Sequence, residues 1–249
     1  MIYDLLAPVY DEINKEIDYS AWADFILKIA EKNLGRKPEL ALDLACGTGS
    51  MTLELARRGC DMIGVDYSYE MLSVARERAE FEKLDILWLC QDATEFELYG
   101  TVDLVSSTLD SINHITDIND LKKCFSLVHN YLNPDGIFIF DINGKAKFEK
   151  VYADNSYVIE TDESFCAWQN EYDSQTRLCN FLITLFCENE DGSYERYDEE
   201  QTERMYLLSE IKDMLSASGF EILGAFSDFD LNEASDESER IYIAAKCIK

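Results

Sequence analysis

Hydrophobic and polar positions follow one rhythm over most of the chain and a different one near its middle. From about residue 20 to 145, short apolar runs alternate with segments whose apolar residues recur every three or four positions. "YSAWADFILKIAEKNL" predicts a helix, with Ser20 as N-cap and Gly35 past its end. "LALDLA" follows as a strand, 49–58 as a helix, "DMIGVD" as a strand and 68–80 as a helix. "DILWLC" and "VDLVSS" are strands, 117–131 is a helix, and "GIFIFDI" is a strand. Short strands apolar on both faces, alternating with helices, predict a mostly parallel sheet covered on both sides.

Between about 155 and 206 the helical period vanishes. "SYVIETDE", "SFCAWQNEY", "LCNFLITLFCE" and "SYERYDEEQTERMY" read as consecutive strands, some separated by turn-prone "DSQT" and "NEDGS". An antiparallel meander is thus inserted into the parallel fold. "LSEIKDMLSASG" then returns to helix, with Ser209 near its start and Gly219 as its C-cap. Strand-like "FEILGAFSDF" and "RIYIAAKCI" close the chain around an acidic turn. The expected organisation is one unit of 1–150 with 208–249, and a β insertion at 151–207 that covers a site as lid or wall.

Composition narrows the partners. The 249 residues are 47% hydrophobic, enough for a sizeable core. Twenty-two basic and 50 acidic residues leave a net charge of -28, which works against holding a nucleic-acid backbone. Such a charge solvates the surface and, more weakly, steers cations towards it. Eight cysteines without a C-x-x-C suit buried free thiols, not a disulfide frame or zinc site, and no metal is expected. The N-terminus lacks a signal-peptide pattern, and no run approaches the ~18 apolar residues needed to cross a bilayer. A cytoplasmic protein without membrane partners is the expectation.

The chemistry gathers at the strand ends. In "LDLACGTGS", Gly47 and Gly49 permit a tight turn and close approach to a ligand ahead of a helix N-terminus. A P-loop is excluded because no Gly-Lys-Ser/Thr follows. The dinucleotide pattern fails at its third glycine, where Thr52 stands. Asp66 ends the second strand, 17 residues after Gly49, where an acid can accept both ribose hydroxyls. An N-cap for the helix near Ser68 is its plainer role. Asp92 in "LCQDATEF" is placed to accept from an adenine amino group, and "VDLVSSTLDSINHI" leads into a polar turn at the same sheet edge.

These segments, in this order, together with "GVDYSYEML" and "LNPDGIFIFDIN", resemble the motifs of class I S-adenosylmethionine-dependent methyltransferases. The likeness implies a seven-stranded, doubly wound α/β Rossmann-like sheet whose last strand is antiparallel. It implies that Asp43 anchors the glycine loop, with Ala45 where the family often has a first glycine. Gly47 and Gly49 would face the methionine part of the cofactor, Asp66 the ribose, and Met71, Asp92 and Ala93 the adenine, with Leu109 lining the pocket. "YDLLAPVYDEI" is similar to a Y-x-x-x-A-x-x-Y-D segment of small-molecule members, which makes Tyr3, Tyr10 and Trp22 candidates for closing over the cofactor. Helix packing is the ordinary alternative for these aromatics.

The same resemblance, closest to sugar-amine and glycine N-methyltransferases, points to a small acceptor, an amine by preference, and allows a homodimer. His114 is the candidate general base, and Asp110, Ser111 and Asn113 in its loop are candidate acceptor contacts. Each of them equally suits capping of the next helix. Trp168 and Tyr172 are candidate acceptor-side aromatics of the insertion, or ordinary sheet packing. His129 reads as structural. Two rivals stand. One is a module that binds the cofactor without catalysis. The other is an NAD-dependent reductase, suggested by "YIAAK" from Tyr242 to Lys246, which needs helical spacing yet falls in a strand and has Phe229 where its serine belongs.

Overall fold

A computed structural model describes residues 10–161, 164–189, 191–235 and 237–249. A short helix α1 (Tyr10–Ile13) precedes α2 (Tyr19–Leu34). The alternating region then runs β1 (Leu40–Leu44), α3 (Ser50–Arg57), β2 (Asp61–Asp66), α4 (Tyr69–Glu82), β3 (Ile86–Cys90), β4 (Val102–Ser107), α5 (Ile118–Tyr131) and β5 (Leu132–Asn143). A one-turn helix, Ser111–His114, follows β4, and a wide turn of helix, Lys147–Tyr152, follows β5. The insertion contributes β6 (Ser156–Glu160), β7 (Ser164–Asp173), β8 (Leu178–Glu188) and β9 (Tyr194–Arg204). Helix α6 (Leu208–Ala217) and strands β10 (Phe220–Phe226) and β11 (Arg240–Cys247) complete the fold.

The main sheet has the order β10-β11-β5-β4-β1-β2-β3. The pairs β1–β2, β2–β3, β1–β4 and β4–β5 are parallel, whereas β11 slots antiparallel between β5 and β10. Strand alternation divides its apolar side chains between two cores. Leu42, Leu44, Phe138 and Phe140 face α5 and α6, while Ala41, Met62, Ile137 and Ile139 face α2 and α3. The insertion is a separate four-stranded antiparallel sheet, β6-β7-β8-β9, with its own small core around Phe148, Phe181 and Ile183.

Some local expectations are corrected. Asp18, not Ser20, caps α2, accepting the Ala21 N–H at 2.9 Å, because it stands one residue before the first helical turn. Gly35 does end α2 in a left-handed conformation. Ser209 does stand near the start of α6, as its second residue, and that start is closed by Glu210 accepting the Leu207 N–H at 3.0 Å. Ser218 is the C-cap of α6, with Gly219 one residue beyond it at φ 90°. Strand β5 starts four residues before "GIFIFDI", at a register shift that Asp135 accommodates with φ 64°.

Candidate active site

The parallel strands carry four loops to one edge of the sheet, where open α/β sheets bind ligands. A cavity of about 380 Å³ lies there, bordered by Ala45 and Gly47 after β1, Asp66 ending β2, Met71 on α4, Asp92 and Ala93 after β3, and Leu109 after β4. A Cβ built on Gly47 meets nothing within 4 Å, so its missing side chain keeps ligand space open. One built on Gly49 would lie 2.7 Å from the Trp88 ring, so Gly49 serves packing. Both glycines have left-handed φ, 55° and 79°, and Ala45 adopts 57° despite its Cβ.

Acids hold this loop in shape. Asp43 is buried, accepting from Thr52 Oγ1 at 2.6 Å and from Ser106 Oγ at 2.9 Å. It therefore anchors the glycine turn from behind and stands apart from the cavity lining. Burial pushes its carboxyl up to about 6, against the pull of those two hydroxyls. Asp66 accepts the Gly47 N–H at 2.8 Å and the Ser68 N–H at 2.9 Å, and burial raises its pKa. The N-cap of α4 is Ser68, which accepts from Met71 N at 3.2 Å. Asp66 is thus freed from capping and borders the cavity. Asp92 holds Thr94 through a single oxygen, Oδ1, at 2.7 Å from both its N–H and its hydroxyl.

Tyr10 borders this cavity and also a second chamber of about 480 Å³ beneath the insertion, as does Leu109. Helix α1 is fastened over the glycine loop: Asp11 accepts from Thr48 Oγ1 at 2.6 Å and from Arg78 Nη1 at 2.7 Å. Tyr3 lies outside the described residues. Trp22 does not line the cavity. It is 3% exposed, in edge contact with Tyr242 at 5.4 Å between ring centroids, and the Arg240 guanidinium lies over its ring. Its position on the buried face of α2 makes it a core residue that supports Arg240.

The loop after β4 divides the two spaces. Leu109 and Asp110 are both left-handed, with φ 58° and 52°. Ser111 borders the first cavity and donates to Thr108 O at 2.8 Å. His114 borders the same cavity, with Nε2 3.8 Å from Glu203 Oε1. Burial lowers its pKa against the pull of Asp110, which favours the neutral imidazole. Asn113 is fully buried and clamps two strand ends, donating to Arg204 O at 2.8 Å and accepting from Asn143 N at 2.9 Å. It is a structural clamp without an exposed face, contrary to an acceptor contact.

Asp110 borders the second chamber and receives the Arg240 guanidinium at 2.8 Å. Burial opposes its charge, but Arg240, Lys147 and His114 together hold its carboxyl well below the usual range. Arg240 also donates to the buried Asp141. Trp168 does line this chamber, its indole Nε1 buried and accepted by no group among the described residues. Tyr172 does not: its ring packs 5.7 Å from Phe148 within the insertion core. Glu203, Arg240, Lys147, Tyr152 and Asn170 complete the polar wall, and none was singled out from the sequence. The aromatic cluster of Trp22, Phe25, Phe229 and Tyr242 around β11 removes the reductase reading: Tyr242 and Lys246 lie on a strand, and Lys246 pairs with Asp135.

A glycine turn after β1, an acid ending β2, a polar residue after β3 and an antiparallel β11 define a class I methyltransferase fold around a cavity at the strand ends. Comparisons with known proteins agree. Residues 41–136 match a family described as a methyltransferase domain. An S-adenosylmethionine-dependent methyltransferase from Clostridium acetobutylicum ATCC 824 is 34% identical, with TM-score 0.89 over 99% of both chains. The Bacillus subtilis (strain 168) protein YqeM, provisionally named a methyltransferase, is 33% identical over 247 residues, 99% of this chain and 97% of its own. An amino pentose methyltransferase from Micromonospora echinaspora, solved with S-adenosylmethionine bound, shares the fold at 16% identity, TM-score 0.75 and 96% coverage of each chain. The chain belongs to the S-adenosylmethionine-dependent methyltransferases, and S-adenosylmethionine is its methyl donor.

Proposed function

We propose that this enzyme methylates a small-molecule amine held beneath the β insertion, residues 151–207. The observation that supports this reading most is the paired architecture of the site. The cofactor cavity and the 480 Å³ chamber share Tyr10 and Leu109 as a common wall, and the chamber is lined by the carboxyls of Asp110 and Glu203. Carboxyls suit an acceptor that arrives as a cation. The amino pentose methyltransferase contributes only the shared fold.

S-adenosylmethionine supplies an activated methyl group on a sulfonium, so the protein's task is chiefly positioning and exclusion of water. In this reading Gly47 and Asp66 hold the methionine and ribose parts, and Met71, Asp92 and Ala93 border the base. Tyr10 and Leu109 frame the opening through which donor and acceptor meet. The His114 imidazole, at the cofactor side, orients the acceptor at this opening. The test is a transfer screen with a labelled methyl group over matched amines, sugars, alcohols and small acids. Turnover confined to amines is expected, with loss of turnover and intact cofactor binding in His114→Ala. Turnover of alcohols or acids in preference to amines would contradict the reading.

A further inference from the structure

The second chamber contains a pair of carboxyls that nothing in the cofactor's chemistry requires. Glu203 on β9 is 2% exposed and faces inward, because alternate residues of β9 share the buried side of the insertion. Its Oε2 accepts from Asn143 Nδ2 at 3.0 Å, and its Oε1 lies 3.8 Å from His114 Nε2. Asp110, His114 and Glu203 each place one side-chain oxygen or nitrogen within 4.8 Å of the others. Asn170 provides a separate sign of a ligand in the same chamber: it is 8% exposed, and its Oδ1 accepts no hydrogen bond among the described residues. A buried acceptor left without a donor costs stability unless a ligand answers it.

We propose that Asp110 and Glu203 form the amine-recognition site, in which Asp110 holds the acceptor's ammonium group and Glu203 takes its proton. The proposal rests on the small-amine reading above. One N–H bond of the ammonium breaks, its electron pair remains on nitrogen, and the proton bonds to a Glu203 carboxylate oxygen. The nitrogen lone pair then forms the new N–C bond while the S–C bond breaks with its electrons going to sulfur. The product leaves as a methylated ammonium with S-adenosylhomocysteine, and Glu203 returns its proton to water.

The charges around Glu203 fit the two roles. Asp110 and His114 face it from the loop after β4, Asp141 lies at the end of β5, and Lys147 and Tyr152 follow β5. Arg240 reaches in from β11, and Cys179 is its cross-strand neighbour on β8. Arg240 fixes Asp110 in the ionised form. Burial, then the charge of Asp110, raise the Glu203 carboxyl well above its usual range, which makes it a stronger proton acceptor.

The test uses the full chain saturated with S-adenosylhomocysteine, titrated with cyclohexylamine and with the isosteric cyclohexanol. Calorimetry at pH 7 in two buffers of different ionisation enthalpy counts protons. The wild type should bind the amine about tenfold or more tightly than the alcohol, with a proton count that differs from that of Glu203→Gln. Asp110→Asn should lose the preference for the amine. A carboxyl infrared band that changes on amine binding in wild type but not in Glu203→Gln would confirm Glu203 as the group that exchanges the proton. Equal binding of the two probes, the same proton count in Glu203→Gln, or amine binding that disappears on adding EDTA would overturn the proposal. Absence of S-adenosylhomocysteine binding would instead strike the methyltransferase reading beneath it.

Discussion

Ala45, Leu109 and Asp110 adopt left-handed φ angles without being glycine, and all three stand on the two loops that enclose the cofactor cavity. Each such residue costs roughly 1–2 kcal/mol, so the surrounding packing must hold them there. Asp43 illustrates the same tension in electrostatic form. Its carboxyl titrates at about 6 in the folded chain against a reference value of 3.8, because burial disfavours the charge. The folded state therefore binds this proton more strongly than the unfolded state. The resulting stability is fully present below about pH 4 and is lost as pH rises through 6, on the order of 3 kcal/mol. Urea unfolding of wild type and Asp43→Asn, compared between pH 4 and 7, should show the wild-type advantage shrinking as pH rises. A pH-independent difference would refute the burial argument. From sequence, Asp43 and Asp66 were legible as acids at strand ends. The left-handed pair at Leu109 and Asp110 was not, since neither residue type signals that conformation.

Strands and helices of the main sheet were readable because their apolar periods differ, 2 against 3.6. The insertion strands were also readable, as four successive runs bounded by turns. Which face of β9 turns inward was not: "YERYDEEQTER" is polar on both faces, so alternation carries no mark to distinguish Glu203 from its neighbours. Trp22 misled for the opposite reason, because an aromatic on the buried stripe of α2 has the same pattern whether it meets core or cofactor. The short α1 is tied through Asp11 to the Thr48 and Ser50 hydroxyls and to Arg78 on α4, which also donates to Thr48 O at 3.0 Å and to Ser50 Oγ at 2.9 Å. Arg78→Ala should release α1 from the glycine loop, seen as faster amide hydrogen exchange at Asn14 and a several-fold weaker hold on S-adenosylhomocysteine. Unchanged exchange would show that α1 is held by other contacts.

At the scale of the whole molecule, one sheet edge and one inserted sheet form two adjoining spaces with different chemistry. The cofactor side is built from backbone turns and single acids, whereas the chamber is built from opposed charges: Asp110 and Glu203 against Arg240 and Lys147. Arg240 belongs to the last strand, far from Asp110 in sequence, so only the antiparallel insertion of β11 beside β5 brings them together. That is why the cavity at the strand ends was largely legible from local motifs and the chamber beneath the insertion was not. No helix among the described residues is long and apolar enough to cross a membrane. The central claim is that the cavity at the strand ends is built for S-adenosylmethionine with Asp66 on its ribose. Calorimetric titration of wild type and Asp66→Ala with S-adenosylmethionine and with NAD tests it most directly. Saturable binding of S-adenosylmethionine alone, weakened by about 1–3 kcal/mol in Asp66→Ala, is the predicted result. Binding of NAD in its place, or equal S-adenosylmethionine affinity in the two proteins, would contradict it.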